Sequence, residues 1–248
     1  MIEDMQRLRS EADRLAAATI AQGGRILGLN DQAVVETVVR MYFRTLPAAG
    51  TRHVVDVGAA YGYIAETFLK QGWTADLLEP DPDWQATLKR LTAYGSRMRL
   101  FPFAAADRDE DSVTFHLNKT PGLAGLAPSP LGGTTRTVAV RAVRLDSFVA
   151  EQNIGAIDFL KIDTEGHDLQ VLRGARGLLD RRAVRIIQFE YGQANIESRD
   201  LLKDFFAFFR DYGFNLHKIN AEGYSLHLRY NARLDNFQYQ NWLAVGEK

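Results

Sequence analysis

Asp163, Glu165, His167 and Asp168 fall within six residues, directly after the short apolar run Ile157 to Ile162. The run reads as a buried strand, and in an open parallel α/β sheet chemistry sits just beyond the carboxyl ends of the strands. A strand that ends in three acids and a histidine is therefore a candidate position for a reacting atom, since clustered titratable groups mark sites. Thr164 and Asp168 are also good helix caps. Capping accounts for one or two of these groups, but not for Asp163 at the strand end or Glu165 beside it. Glu190 ends the next apolar run, Val184 to Glu190, and could face the same place.

A second chemical signal precedes this one. Val54-Val55-Asp56-Val57 runs into the turn Gly58-Ala59-Ala60-Tyr61-Gly62. A pyrophosphate-binding turn needs G-x-G-x-x-G, with backbone and a helix N-terminus taking the phosphates. Here there are only two glycines, which suits a ligand with an adenosine and no phosphates. Glu79 follows Asp56 by 23 residues, near the roughly 20 after which an acid commonly holds a ribose diol. A carboxylate can accept from both hydroxyls.

The elements that must position these groups alternate along the chain. His53 to Gly58 is a strand, Tyr63 to Gln71 a helix, Trp73 to Glu79 a strand, Pro82 to about Tyr94 a helix, and Met98 to Phe103 a strand. This is the signature of a parallel, doubly wound sheet. Ser112 to Leu117 and Thr137 to Val143 alternate like antiparallel strands. Between them Asn118 to Arg136 is rich in Gly, Pro, Ser and Thr and reads as a lid over the site. Asp146 is expected to cap a short helix through Glu151. Leu169 to Leu179 reads as helical but interrupted by Gly174 and Gly177, and Ser198 to Tyr212 as a helix; Phe214 to Ile219 and Phe237 to Val245 read as closing strands, with Tyr224 to Leu228 as an extra short one. Upstream, two amphipathic helices within residues 1–50 form an extension. They could pack on the domain or make a homodimer. Residues 51–248 then form one domain with a lid-like insertion at about 112–143.

Composition narrows the function classes. The chain has 248 residues, 46% hydrophobic and 25% charged, with a formal net charge of −1. That balance, without a basic aromatic-studded face, argues against nucleic acid as a partner. There is no cysteine, hence no thiolate metal site and no cysteine nucleophile. Met1 is followed by Glu3 and Asp4 rather than a signal pattern, and no run of about 18 apolar residues spans a membrane. A cytoplasmic location is the expectation.

The motifs Val54 to Gly62, Leu78-Glu79-Pro80-Asp81-Pro82, Arg144-Leu145-Asp146-Ser147-Phe148, and Phe159 to Asp168 with Val171-Leu172-Arg173-Gly174-Ala175 together resemble the FkbM family of S-adenosylmethionine-dependent methyltransferases. The likeness covers roughly residues 52–192, and the segment Phe159 to Asp168 is its most specific part. The family usually has Asn where this chain has Ala60. The resemblance implies a Rossmann-like class I methyltransferase sheet of seven mostly parallel strands with an antiparallel last strand, and O-methylation of a small-molecule or glycan hydroxyl. It places Gly58, Ala59, Ala60, Tyr61 and Gly62 beneath the amino-acid end of S-adenosyl-L-methionine and Asp56 near its ammonium. Glu79, with Pro80 and Asp81, takes the ribose, and Ala106 and Asp107 face adenine. Asp163 borders the cofactor and is the first choice of catalytic base, His167 the second; Glu165 orients acceptor or cofactor. A Mg²⁺-assisted version using Asp163, Glu165 and Glu190 is the less favoured variant. On the residues alone, an adenosine-ligand binding module without catalysis and a nucleotide-dependent oxidoreductase are the competing readings. The intact acidic cluster speaks against the first and the missing third glycine against the second.

Overall fold

A computed structural model describes residues 52–119, 123–128, 133–220 and 223–246. The expected N-terminal helices, and the dimer contact suggested for them, lie outside the described residues.

The parallel core forms from β-branched and aliphatic runs that are buried on both faces. Strand β1 (His53–Val57) pairs in parallel with β2 (Thr74–Leu78) on one side and β7 (Ile157–Ile162) on the other. Strand β2 continues to β3 (Met98–Phe101), and β7 to β8 (Val184–Tyr191), both in parallel. Beyond β8 comes β11 (Gln240–Gly246), antiparallel to β8 and to β9 (Phe214–Asn220). The edge strand β10 (Gly223–His227) pairs antiparallel with β9. The order is β10-β9-β11-β8-β7-β1-β2-β3. The sheet thus has eight strands rather than the seven expected. The addition is the short β10, and the reversed strand β11 is the antiparallel one that was anticipated.

Helices cover both faces. Helix α1 (Tyr63–Lys70) packs Ile64, Phe68 and Leu69 on the face that carries Val54, Phe159 and Ile186. Helix α2 (Pro82–Leu88) runs into a 3₁₀ stretch, Lys89–Arg97. The opposite face, with Val55, Leu160 and Ile187, is covered by α3 (Leu145–Glu151), α4 (Asp168–Arg173), α5 (Arg176–Asp180) and α7 (Leu202–Asp211). A short α6 (Ala194–Ser198) precedes α7. The helical stretch over 169–179 is interrupted at Gly174, as expected, and the helix expected over 198–212 begins later, at Leu202.

Two local expectations change for clear reasons. The third strand does not run to Phe103. Pro102 has no N–H for the ladder, and strands rarely pass through proline. The chain leaves the main sheet there, and β4 (Phe103–Ala105) joins a second sheet of order β4-β6-β5, with β5 (Glu110–Asn118) and β6 (Thr134–Val143). Asp146 does not cap its own helix. Its carboxylate accepts from Gly177 N at 2.9 Å and Leu178 N at 2.8 Å, capping α5 from a distance. Satisfying the free N–H groups of a helix start explains this choice.

Candidate active site

Because β1, β2, β7 and β8 are parallel, their carboxyl ends share one edge. There the loops enclose a cleft of about 670 Å³, the solvent at its mouth included. Of the residues expected to act, Gly58, Ala60, Glu79, Pro80, Asp163, Glu165 and His167 line it. Phe103, Ala104 and Ala105 of β4, Phe115 of β5, and Leu126 supply an apolar wall, and Trp84 of α2 another. Ala106 and Asp107 lie outside the lining, just past the end of β4. Asp81 caps α2 by accepting from Asp83 N at 2.8 Å. Asp56 is fully buried below the glycine turn.

The glycine turn is shaped by its contact with the acidic loop. Gly58 has φ 72°, and a Cβ there would overlap the Asp163 carbonyl oxygen. Only glycine permits both the left-handed backbone and that approach. Glu79 holds the turn from the other side. Its carboxylate accepts from Ala60 N at 2.7 Å and Asp81 N at 2.8 Å. Burial nevertheless pushes Glu79 up to about 7.

Lys161 joins the two halves. It stands in the middle of the apolar β7 and is buried. Its ammonium donates to Gly58 O at 2.6 Å and pairs with Asp56 at 3.3 Å and Asp163 at 3.4 Å. Burial opposes the charge, but Asp56 and Asp163 win and raise the lysine pKa. Sequence reasoning assigned it no role. The signal was a lysine inside a buried strand, which must be paired.

The acidic loop carries several carboxyls at close quarters. Asp168 is wholly buried and accepts from Thr164 N at 2.9 Å, Thr164 Oγ1 at 2.5 Å and Glu190 N at 3.0 Å. It ties the end of β7 to the end of β8. Burial, then the Asp163 charge, raises it to about 6. Glu165 and Gly166 both have positive φ, 54° and 90°. A Cβ on Gly166 would strike the Ala194 carbonyl, so the loop is pinned under the start of α6. Burial and the Asp163 charge push Glu165 up to about 9. The same causes raise Glu190, which faces Asp163, well above its ordinary range. His167 stands at the N-cap of α4. Burial lowers its pKa, leaving a neutral imidazole at the cleft. Among the described residues no group of three or more His, Asp or Glu side chains is arranged to hold a metal ion.

These carboxyls give stability a pH dependence of defined sign. A raised pKa means that the folded chain keeps a proton the unfolded chain would release. That contribution is complete below the ordinary value of 4.5 and is lost as pH rises through about 7 for Glu79 and about 9 for Glu165. The lowered His167 acts with opposite sign, but only below its ordinary 6.5. Between about pH 7 and pH 8.5 the ligand-free protein is expected to lose about 1 kcal/mol per pH unit, and Glu165→Gln to flatten that slope. Thermal denaturation across this window checks it; a constant or rising Tm contradicts it.

A doubly wound sheet with a carboxylate-lined, nucleoside-sized cleft at its switch edge defines a Rossmann-like ligand-binding α/β protein. The sequence profile of the Methyltransferase FkbM domain matches residues 56–216, and the chain belongs to this family. It is 27% identical over 159 residues to the 2-O-methyltransferase NoeI of Sinorhizobium fredii, across 58% of this chain. The chain spans 64% of the length of that relative. Similar solved structures include fibrillarin of Aeropyrum pernix with bound S-adenosyl-L-methionine, with 11% identity, TM-score 0.45, and 88% and 76% of the two chains covered. A TehB-like methyltransferase of Corynebacterium glutamicum matches with 11% identity, TM-score 0.41, and 96% and 98% coverage. Among the described residues, no helix is long and apolar enough to cross a membrane.

Proposed function

We propose that the chain is an S-adenosylmethionine-dependent O-methyltransferase acting on a hydroxyl of a small molecule or glycan. The observation that carries this reading is the carboxyl-rich lining of the cleft. Three carboxyls, Glu79, Asp163 and Glu165, line it, and among the described residues no lysine or arginine does. Such a lining rejects phosphates and favours a ligand carrying positive charge beside an apolar ring system. A sulfonium, an ammonium and an adenosine answer that description, whereas a dinucleotide does not.

The residues fit the ligand in detail. Each Glu79 oxygen takes one backbone N–H and keeps a lone pair for a ribose hydroxyl. Pro80, Trp84 and Phe103 offer flat apolar surface to a base. Asp56 acts through Lys161, which fixes the turn, and Asp163 is the carboxylate left to meet the cationic end. When bound, S-adenosylmethionine supplies an electrophilic methyl group, whose bond to sulfur breaks, leaving its electron pair on sulfur, as the acceptor oxygen forms the new bond to carbon. Asp163 takes the hydroxyl proton. Lys161, 3.4 Å from the Asp163 carboxylate, fixes its direction. A positioned weak base suffices, because the hydroxyl becomes strongly acidic only as the new bond forms. The segment around Gly125, bridged to His116 on β5 by paired backbone bonds of 2.8 Å and 3.1 Å, roofs Thr164 and Glu165. It is the base of the proposed lid.

Calorimetric titration with S-adenosylhomocysteine tests the reading. Micromolar binding is expected for the wild type, about tenfold weaker for Glu79→Ala. The Glu79 pKa near 7 makes affinity fall below neutral pH, as the ribose acceptor is protonated. Absence of binding in the wild type refutes the assignment.

A further inference from the structure

The two faces of the main sheet are covered unequally. On one face α3, α4, α5 and α7 supply apolar side chains. On the other, among the described residues, the helical side chains in the core come only from α1, α2 and the 3₁₀ stretch after it. Helix α1 lies over β1 and β2 and reaches β7 through Phe68 and Phe159, whose ring centroids are 5.0 Å apart. Beyond β7 this face carries Ile186 of β8, Leu243 of β11 and Ile219 of β9, with Val245 and Tyr224 packed beside them. Ile186, Leu243 and Ile219 are 1%, 0% and 2% exposed. An apolar sheet face must be buried against another element, and on this half no described helix supplies it.

The chain itself carries a segment of the right pattern, length and attachment. Residues 1–51 precede the described chain and lead into β1, in the middle of the sheet beside β7. Within them Val34, Val35, Val38, Val39, Tyr42 and Phe43 recur at spacings of three and four, with Glu36, Thr37, Arg40 and Arg44 between them. That is the stripe of a helix with one apolar side. As a helix, residues 31–46 would be about 24 Å long, against about 26 Å for the 8 residues of β8. Pro47 to Arg52 is a short tether to His53. It holds the end of the segment at the edge where β1 starts. The segment's beginning then reaches the opposite edge, where Tyr239 stands in one cleft with Asp163. So short a tether gives the attached segment a large advantage in effective concentration over the same segment of a second copy.

We propose that residues 31–46 of this chain dock as a helix on β8, β11 and β9. The valine stripe lies against Ile186, Leu243 and Ile219. The first turn stands beside Tyr239, at the edge that carries the candidate active site. This docking does not depend on the methyl-transfer reading.

The full-length chain has no cysteine, so introduced pairs are its only thiols. Val35→Cys is combined with Tyr239→Cys, and Tyr42→Cys with Val245→Cys. Each is treated with a short bismaleimide and read by denaturing gel and mass spectrometry. Both pairs are expected to link within one chain, and to stop linking when the protein is unfolded in guanidinium. Val35 and Tyr42 lie two turns, about 10 Å, apart along such a helix. The crossed pair, Val35→Cys with Val245→Cys, should therefore link about tenfold less. Val38→Asp, in the middle of the stripe, should lower Tm and make the protein bind an apolar dye, whereas Glu36→Ala on the other side should do neither. Linking between two chains would assign the face to a second copy and overturn the proposal. So would an absence of linking in both matched pairs, equal linking of the crossed pair, or a Val38→Asp variant that behaves like Glu36→Ala.

Discussion

Asp163→Asn is expected to lower kcat for methyl transfer about 10²–10⁴-fold while S-adenosylhomocysteine binding survives. That range is what a positioned proton acceptor contributes. Asparagine is nearly the same size, and its carbonyl oxygen can still accept from Lys161, 3.4 Å away in the native chain. What it loses is the capacity to take a proton. The effect should therefore fall far more on kcat than on affinity, which loses only the attraction for the ligand's ammonium; a loss concentrated in kcat is the pattern of an interaction made in the transition state. The substitution carries an internal control. The Asp163 charge is the second cause, after burial, of the raised pKa values of Glu165 and Glu190. Removing it should lower both and weaken the fall of Tm between about pH 7 and pH 8.5. A variant with that altered pH profile and near-normal turnover would take Asp163 out of the chemistry while leaving its electrostatic role.

Lys161→Met is expected to cost about 3–5 kcal/mol of stability, the usual penalty for stranding one half of a buried ion pair. For a domain of this size that corresponds to roughly 10 °C in Tm. Three oxygens depend on the ammonium: Gly58 O, Asp56 and Asp163. Asp56 suffers most. It is fully buried, its pKa is already raised by burial, and Lys161 is the largest influence acting the other way. Without the lysine it must protonate or drag water inward. The double variant Lys161→Met with Asp56→Asn should recover a large part of the loss, because the uncompensated charge is gone. A coupling energy of about 1–3 kcal/mol between the two sites is the signature, read from denaturant unfolding. Additive losses would show that the pair does not act as a unit.

Much of the fold was legible because its signals are local. Alternating runs and glycine stops at Gly58, Gly72 and Gly213 mark elements wherever they fold. The strand-end acids were legible for a related reason: parallel strands bring their carboxyl ends to one edge, so Asp56, Glu79, Asp163 and Glu190 had to become neighbours. Register was not legible. Asp56, Lys161 and Gln188 stand side by side on three adjacent strands, and nothing local fixes that row. Lys161 stood in the motif as one more letter. Asp146 misled because its local setting is that of a cap, yet the helix it serves begins some 30 residues later. Pro102 was in plain view, and its missing N–H was sufficient to predict the strand break.

That break has a consequence for how such a chain can diversify. The carboxyls of the cleft hang from one hydrogen-bonded ladder, and the apolar wall of Phe103, Ala104 and Phe115 hangs from another. The two ladders meet at Pro102, where no backbone bond binds their registers together. Lengthening, trimming or exchanging the hairpin between Pro102 and Val143 rewrites the ceiling above the ligand without moving the strands that carry the acids. The ceiling of the cleft and its acidic floor are thereby separate parts, joined at a single imino acid.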